Sequence, residues 1–347
     1  MDNLSAIGNF FKKIYNYIFI FVLIIFLIFA VLSFIQSFTK KDYSGLEKIS
    51  PILADPIALQ KSTPTINFKN LAGTQLANEA QVYKVTDLPA TQDYKNLAQA
   101  FGFTKEPITN QEGKIGWVEG SYALSFDPKS NFLQYQLIQA TKKRGLISKL
   151  SREALLEKAK KELVRFGLYN SEDELVLLRE LPLRKIGMDV GVPPTESDAD
   201  FFDFYFSHKL DESEFLTEGL FLAPTKVSIN WQGEILGITH YLLPKLEAFE
   251  TYPLKNLKEI QEAVKEAKYT TVSLVEKNEQ EIFQMHDPYR LGSVSITKIS
   301  LVYFRERLFG DYLKPAFLLE GETKVDGEKE AYVTLLIDGV KDELLSP

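Results

Sequence analysis

Residues Tyr17 to Ile35 read YIFIFVLIIFLIFAVLSFI, a run with no charge and a single serine. As a helix it spans roughly 28 Å, at about 1.5 Å per residue, which matches the hydrocarbon core of a bilayer. A buried core helix is a poor alternative, because the run offers no polar face. A cleavable leader usually has an apolar region of about 7–15 residues that ends in a small-x-small site. Here Phe34, Ile35, Gln36 and Phe38 crowd the end instead. The run predicts one uncleaved transmembrane helix over residues 15–38, behind a short cytoplasmic tail of residues 1–14.

Lys12 and Lys13 flank one end of the run and Lys40 and Lys41 the other, so the positive-inside count is close to a tie. A long C-terminal body translocates largely regardless of charge, which places that body outside the cytoplasm. Tyr15 and Tyr17 suit the membrane interface. The expected setting is a single-pass protein of the cell membrane, touching bilayer lipid through Tyr17 to Ile35. No later segment is long and apolar enough for a second span.

The charge behind the run excludes one class of partner. Residues 1–41 carry +3, so a net −7 for the whole chain leaves −10 on residues 42–347. An acidic body is a poor fit to nucleic acid, which needs a basic face. The chain has no cysteine, which removes zinc–thiolate sites, disulfides and thiol nucleophiles together. Its three histidines are His208, His240 and His286.

Beyond the run, residues 39–75 contain Pro51, Pro56 and Pro64 without sustained periodicity and read as a stalk or loosely docked connection. Helix-then-strands units follow. Thr91 caps a helix with Tyr94, Leu97, Ala98 and Phe101 on one face, and Ser151 caps another with Leu155, Ala159, Leu163 and Phe166. Each ends in Phe-Gly, which hints at an internal duplication. A third helix is expected near residues 256–268, with Leu257, Ile260 and Val264 on its apolar face. The strands between them alternate and are joined by short turns, so they pair antiparallel. The predicted class is therefore α+β: helix-plus-antiparallel-sheet units, divided over residues 76–190 and 200–342, behind the N-terminal transmembrane helix. Residues 186–200 read as a loop or boundary between them. Pro315 cannot donate its amide, which predicts an edge or bulged strand there.

The motifs of catalysis are missing: no Gly-x-Ser-x-Gly elbow, no His-Glu-x-x-His, no phosphate loop, no dinucleotide fingerprint. Glu196, Asp198, Asp200 and Asp203 cluster, but without the spacing of a calcium loop, and read as a solvated acidic segment. His286 beside Asp287 sits on an Asp-Pro turn signal. His208 and His240 read as structural histidines in apolar strands. Arg305, Glu306 and Arg307 read as turn charges, with partner contact at a strand edge as the other reading. Trp117, Trp231, Phe204 and Tyr241 read as core, or else as the lining of a sugar or peptide groove. No catalytic, cofactor-binding or metal-binding residue is assigned.

Four segments stand out together: YPLKNLKEIQEAVKEA (252–267), ITKISLVYFRE (296–306), YLKPAFLLEG (312–321) and EAYVTLLID (330–338). In cast and order they resemble the extracytoplasmic domains of YycH/YycI-type regulators and related PepSY-like modules. The resemblance covers about residues 200–340. It implies a membrane-anchored, non-enzymatic outer body that restrains a membrane sensor kinase, with no residue carried over as a contact. The expected function is binding, regulating or scaffolding another envelope protein. A module for cell-wall glycan or secreted peptide is the alternative, and a hydrolase without a recognisable motif is a third reading.

Overall fold

Alternation along the chain sets most of the structure, a computed structural model that describes residues 43, 45–54, 64–69, 71, 75–87, 91–138, 149–172, 174–186, 189–218, 220–277, 290–305 and 311–346. The chain divides into two compact units, Met1–Leu46 and Glu47–Pro347. The run over residues 17–35 lies outside the described residues, and no described helix is long and apolar enough to cross a membrane.

In chain order the strands are β1 (Ile66–Phe68), β2 (Glu79–Asp87), β3 (Ile108–Thr109), β4 (Ile115–Glu119), β5 (Tyr122–Asp127), β6 (Phe132–Leu137), β7 (Leu175–Ile186), β8 (Asp189–Gly191), β9 (Phe201–Leu210), β10 (Ser213–Thr217), β11 (Thr225–Asn230), β12 (Ile235–Tyr241), β13 (Lys245–Pro253), β14 (Thr270–Glu276), β15 (Val294–Arg305), β16 (Tyr312–Val325) and β17 (Lys329–Asp338). Three α-helices are described: α1 (Thr91–Ala100), α2 (Arg152–Arg165) and α3 (Leu257–Lys265). The expected α+β class of helix-plus-sheet units is therefore corrected. The body is largely β, a mixed sheet network carrying a few short helices. The helices fall where their apolar faces predict them; Ser151 caps α2 as expected, whereas Thr91 is the first helical residue of α1 and not its cap. The strands are longer and more numerous than side-chain pattern shows, because backbone pairing holds even segments such as β13, where only two residues are buried.

The network has two antiparallel parts. The first runs β3–β4–β5–β6–β12–β11–β9–β7, with β8 as a short ribbon on β7. Leu124, Phe126, Phe204, Phe206, Val227 and Ile238 face its core, and α1 and α2 cover them. Ser151 accepts a hydrogen bond from Ala154 N at 3.2 Å to start α2. The Phe-Gly ends of α1 and α2 meet: Gly102 and Gly167 take positive φ of 90° and 70°, and the Phe101 and Phe166 rings stack with centroids 4.0 Å apart.

The second part runs β14–β17–β16–β15. The outer edge of β15 pairs in parallel with β1 at residues 294–296 and with β10 at residues 302–305. A β2–β13 ribbon joins through Tyr312 and Leu313 of β16. β9 continues through a tight turn into β10 and so ties the two parts together. One face of this sheet presents Phe317, Leu319, Val333 and Leu335 to Ile260 and Val264 of α3. An Asn256–Glu259 capping box opens α3, with reciprocal bonds of 3.0 and 2.7 Å.

Pro315 sits neither at an edge nor in a bulge. It is buried in β16, with β15 on one side and β17 on the other. Its carbonyl accepts from Gly339 N at 3.0 Å, just beyond the end of β17. The amide that proline lacks belongs on that same side. Gly339 O, left without it, accepts from Lys255 N at 2.9 Å instead. The chain accommodates proline by replacing one ladder bond rather than by exposing a strand.

Candidate functional site

The second face of β16 changes character along its length. Ala316 and Leu318 are followed, two and four residues on, by Glu320 and Glu322. With a period of two, all four point the same way. β17 does the same in reverse, from Tyr332 and Thr334 to Leu336. A bulge at residues 296–298 of β15, opposite Gly321, bends the sheet at this point. Only glycine fits there, since a Cβ on Gly321 would run into the Ser295 carbonyl oxygen. The 3₁₀ turn Leu220–Leu222 packs against β14, so the sheet curls round on itself.

The result is a cup of about 450 Å³. Its floor is apolar: Leu178, Leu216, Leu222 and Leu318. Its rim is polar, with Glu214, Lys298, Glu320, Glu322 and the half-exposed Tyr332. Lys298 pairs with Glu320, and Lys277 pairs with Glu322 at 3.0 Å while lying 5.6 Å from the centre of the Tyr332 ring. These rim pairs are solvent-washed and worth roughly 0–1 kcal/mol each. An apolar floor under a charged and polar rim suits a ligand or an anchoring side chain that needs orientation as well as burial. A shallower cavity of about 500 Å³ lies between α1, the end of α2 and Leu242–Leu243. It has less enclosure and fewer polar groups to orient a guest.

Away from the cup, a polar cluster is sealed in the core near the β9–β10 turn. Tyr169 Oη and Thr225 Oγ1 are 2.6 Å apart, and Thr225 Oγ1 is 2.7 Å from His240 Nδ1. The Tyr169 ring meets both imidazoles edge-on, at 5.3 Å from His240 and 5.5 Å from His208. Arg305 lies over the Tyr241 ring at 4.8 Å and donates to the Ser130 carbonyl. Burial, reinforced by His208 and the Arg305 charge, pushes His240 down to about 3. Burial also pulls Arg305 down to about 10, so the guanidinium stays charged at neutral pH. Arg305 is thus a buried residue, 2% exposed, and not the solvated turn charge expected from sequence.

The other singled-out residues scatter. Glu196 and Asp198 lie in an exposed 3₁₀ turn. Asp200 accepts from Lys185 N at 2.9 Å, and Asp203 is buried beside Ser228 and Lys226. Among the described residues no group of three or more His, Cys, Asp or Glu is placed to hold a metal. Trp117 and Phe204 are core, Trp231 gives its indole N–H to the Ala199 carbonyl at 2.7 Å, and Tyr241 is covered by Arg305. They line no common groove. His286, Asp287, Glu306 and Arg307 lie outside the described residues. Sequence patterning does not single out the cup residues, although the switch from Leu318 to Glu320 on one strand face is the cup's local mark.

No family model matches the chain, and no curated protein matches it. Among solved structures it is similar to an uncharacterized protein from Eubacterium rectale, at 12% identity over 80% of this chain and 88% of that one, with a TM-score of 0.41. MucB matches at 11% identity over 68% of this chain and 80% of its own, with a TM-score of 0.10. A chain of the Pseudomonas aeruginosa MucA/MucB complex matches at 11% identity over 69% and 85%, with a TM-score of 0.09. Likeness at this level carries neither a fold nor a function across.

Proposed function

We propose that this protein is a membrane-held, extracytoplasmic binding protein that regulates or scaffolds another envelope protein and performs no chemistry of its own. The observation that carries the reading is the cup, in which an apolar floor and a polar rim meet on one curled sheet. A partner polypeptide inserts an apolar side chain against Leu216, Leu222 and Leu318, while Glu214, Glu320 and Tyr332 orient its backbone and neighbouring polar groups. The apolar run at residues 17–35 and the acidic body support a place at the membrane and a partner other than nucleic acid. The resemblance of residues 200–340 to YycH/YycI-type regulators makes a membrane sensor kinase the partner class to look for first.

The test is capture of the full chain from native membranes in mild detergent, wild type beside Tyr332→Ala and Glu320→Lys. A membrane protein that co-purifies with wild type and is lost from both rim variants supports the reading. Equal recovery with all three proteins rules the cup out as its binding site.

A further inference from the structure

Residues 47–54 open the compact unit as an extended strap. Ile49 bridges Leu345, giving and receiving backbone hydrogen bonds of 3.1 Å to Leu344 O and 2.8 Å from Ser346 N. Tyr252 Oη donates to Glu47 O at 2.7 Å. Lys314, only 1% exposed, donates to Ser50 O at 2.8 Å and to Pro51 O at 3.0 Å. Ile52 N donates to the Asp338 carboxylate at 2.8 Å. The strap is therefore held by polar contacts that the body supplies from β13, β16 and β17. It contributes little apolar burial in its last part, where Ile52 and Ala54 are half-buried and Leu53 is 71% exposed.

Those two half-buried side chains pack on a cluster that contains Leu216, Leu222 and Leu318. The same three leucines belong to the floor of the cup. Strap and cup thus share one apolar, leucine-containing wall. We propose that strap docking and filling of the cup are a single coupled equilibrium. A side chain seated in the cup fixes the leucine wall and keeps the strap docked. Release of the strap removes the backing of that wall and weakens the cup. Coupling of this kind is reciprocal by linkage. A closely packed wall transmits the change because it repacks between discrete arrangements rather than yielding gradually. Residue 47 follows residue 46 of the N-terminal unit, so the strap is the part of the body nearest to that unit in sequence. The inference deepens the partner-binding reading by giving it a means of regulation.

The experiment needs no partner, so the two ideas can fail separately. The full chain is held in detergent micelles. Amide hydrogen exchange over residues 47–54 reports the strap. An environment-sensitive fluorophore on Thr334→Cys, the sole thiol in a chain without cysteine, reports the cup. Lys314→Met and Ile52→Asp are expected to speed strap exchange at least tenfold and to shift the fluorophore's emission, with exchange in α2 unchanged. If either variant also speeds exchange in α2, the comparison passes to Ala54→Gly, which removes one methyl. In the reverse direction, Ser273→Trp puts a ring into the cup and is expected to slow strap exchange several-fold. Strap exchange that rises with no change in emission would overturn the proposal. So would a filled cup that leaves the strap's exchange as it was.

Discussion

His240 is fully enclosed and neutral, and that makes stability fall with acidity. Its ordinary value of 6.5 is pushed down to about 3 by burial first, then by His208 and Arg305. The unfolded chain therefore takes up a proton near pH 6.5 that the folded chain refuses until near pH 3. For a depressed pKa of this kind, the stabilisation is complete above 6.5 and is lost as pH falls through that window. Each pH unit within it removes about 1.4 kcal/mol, so roughly 2–3 kcal/mol is gone by pH 4.5 and the ceiling is about 5 kcal/mol. That ceiling is a large share of the roughly 5–15 kcal/mol typical of a folded domain. The perturbation is His240→Gln, which keeps a polar group near Thr225 Oγ1 and does not titrate. Urea unfolding of the full chain in micelles, at pH 7, 6, 5 and 4.5, gives the stability difference between wild type and variant. Other titrating groups cancel in that difference. At pH 7 wild type should be the more stable, and its advantage should shrink by about 1.4 kcal/mol per unit below pH 6. A difference that stays constant from pH 7 to 4.5 would refute the neutral, enclosed His240 and with it the account of the core cluster.

Other outcomes follow from the packing. Gly321→Ala drives a Cβ into the Ser295 carbonyl and should cost about 1–3 kcal/mol in the same unfolding assay. Asp338→Asn weakens a carboxylate that accepts from Ile52 N and Val340 N between two lysines, and should cost about 2 kcal/mol, with faster exchange at Ile52. Leu163→Ala empties a fully buried site under the first sheet and should cost about 2–5 kcal/mol. Tyr332→Ala, on the rim, should leave stability within about 0.5 kcal/mol while partner capture falls.

What the chain discloses in advance depends on whether the deciding contacts are local. The helices are legible because their signals are local: Ser151 before an apolar face, the spacing of Leu257, Ile260 and Val264, glycine after Phe101 and Phe166. β9 is legible as a strand, but FFDFYF hides its facing, because Phe202, Phe204 and Phe206 join one core while Phe201 and Tyr205 join another. The largely β class was missed because β13 and much of β7 carry charges and partial exposure, and only their ladders to β2 and β9 make them strands. Arg305 was read from its neighbours in sequence as a turn charge. Its burial comes from Tyr241 and Ser130, far off in the chain. Pro315 was read as an edge because its replacement bond comes from Lys255 to Gly339, which no local pattern announces. The cup is half legible: the polar switch on β16 is visible, and the bulge and the 3₁₀ turn that curl the sheet around it are not.

The central claim, that the cup receives a partner polypeptide, is tested most directly by photo-crosslinking in native membranes. One full-length protein carries a photoreactive residue in place of Tyr332 at the cup rim, and a second carries it in place of Val118, which is 54% exposed on the first sheet. A dominant adduct to one membrane protein is expected from the Tyr332 position and none from the Val118 position. The same adducts from both positions, or adducts only to cell-wall material from the cup, would contradict that claim.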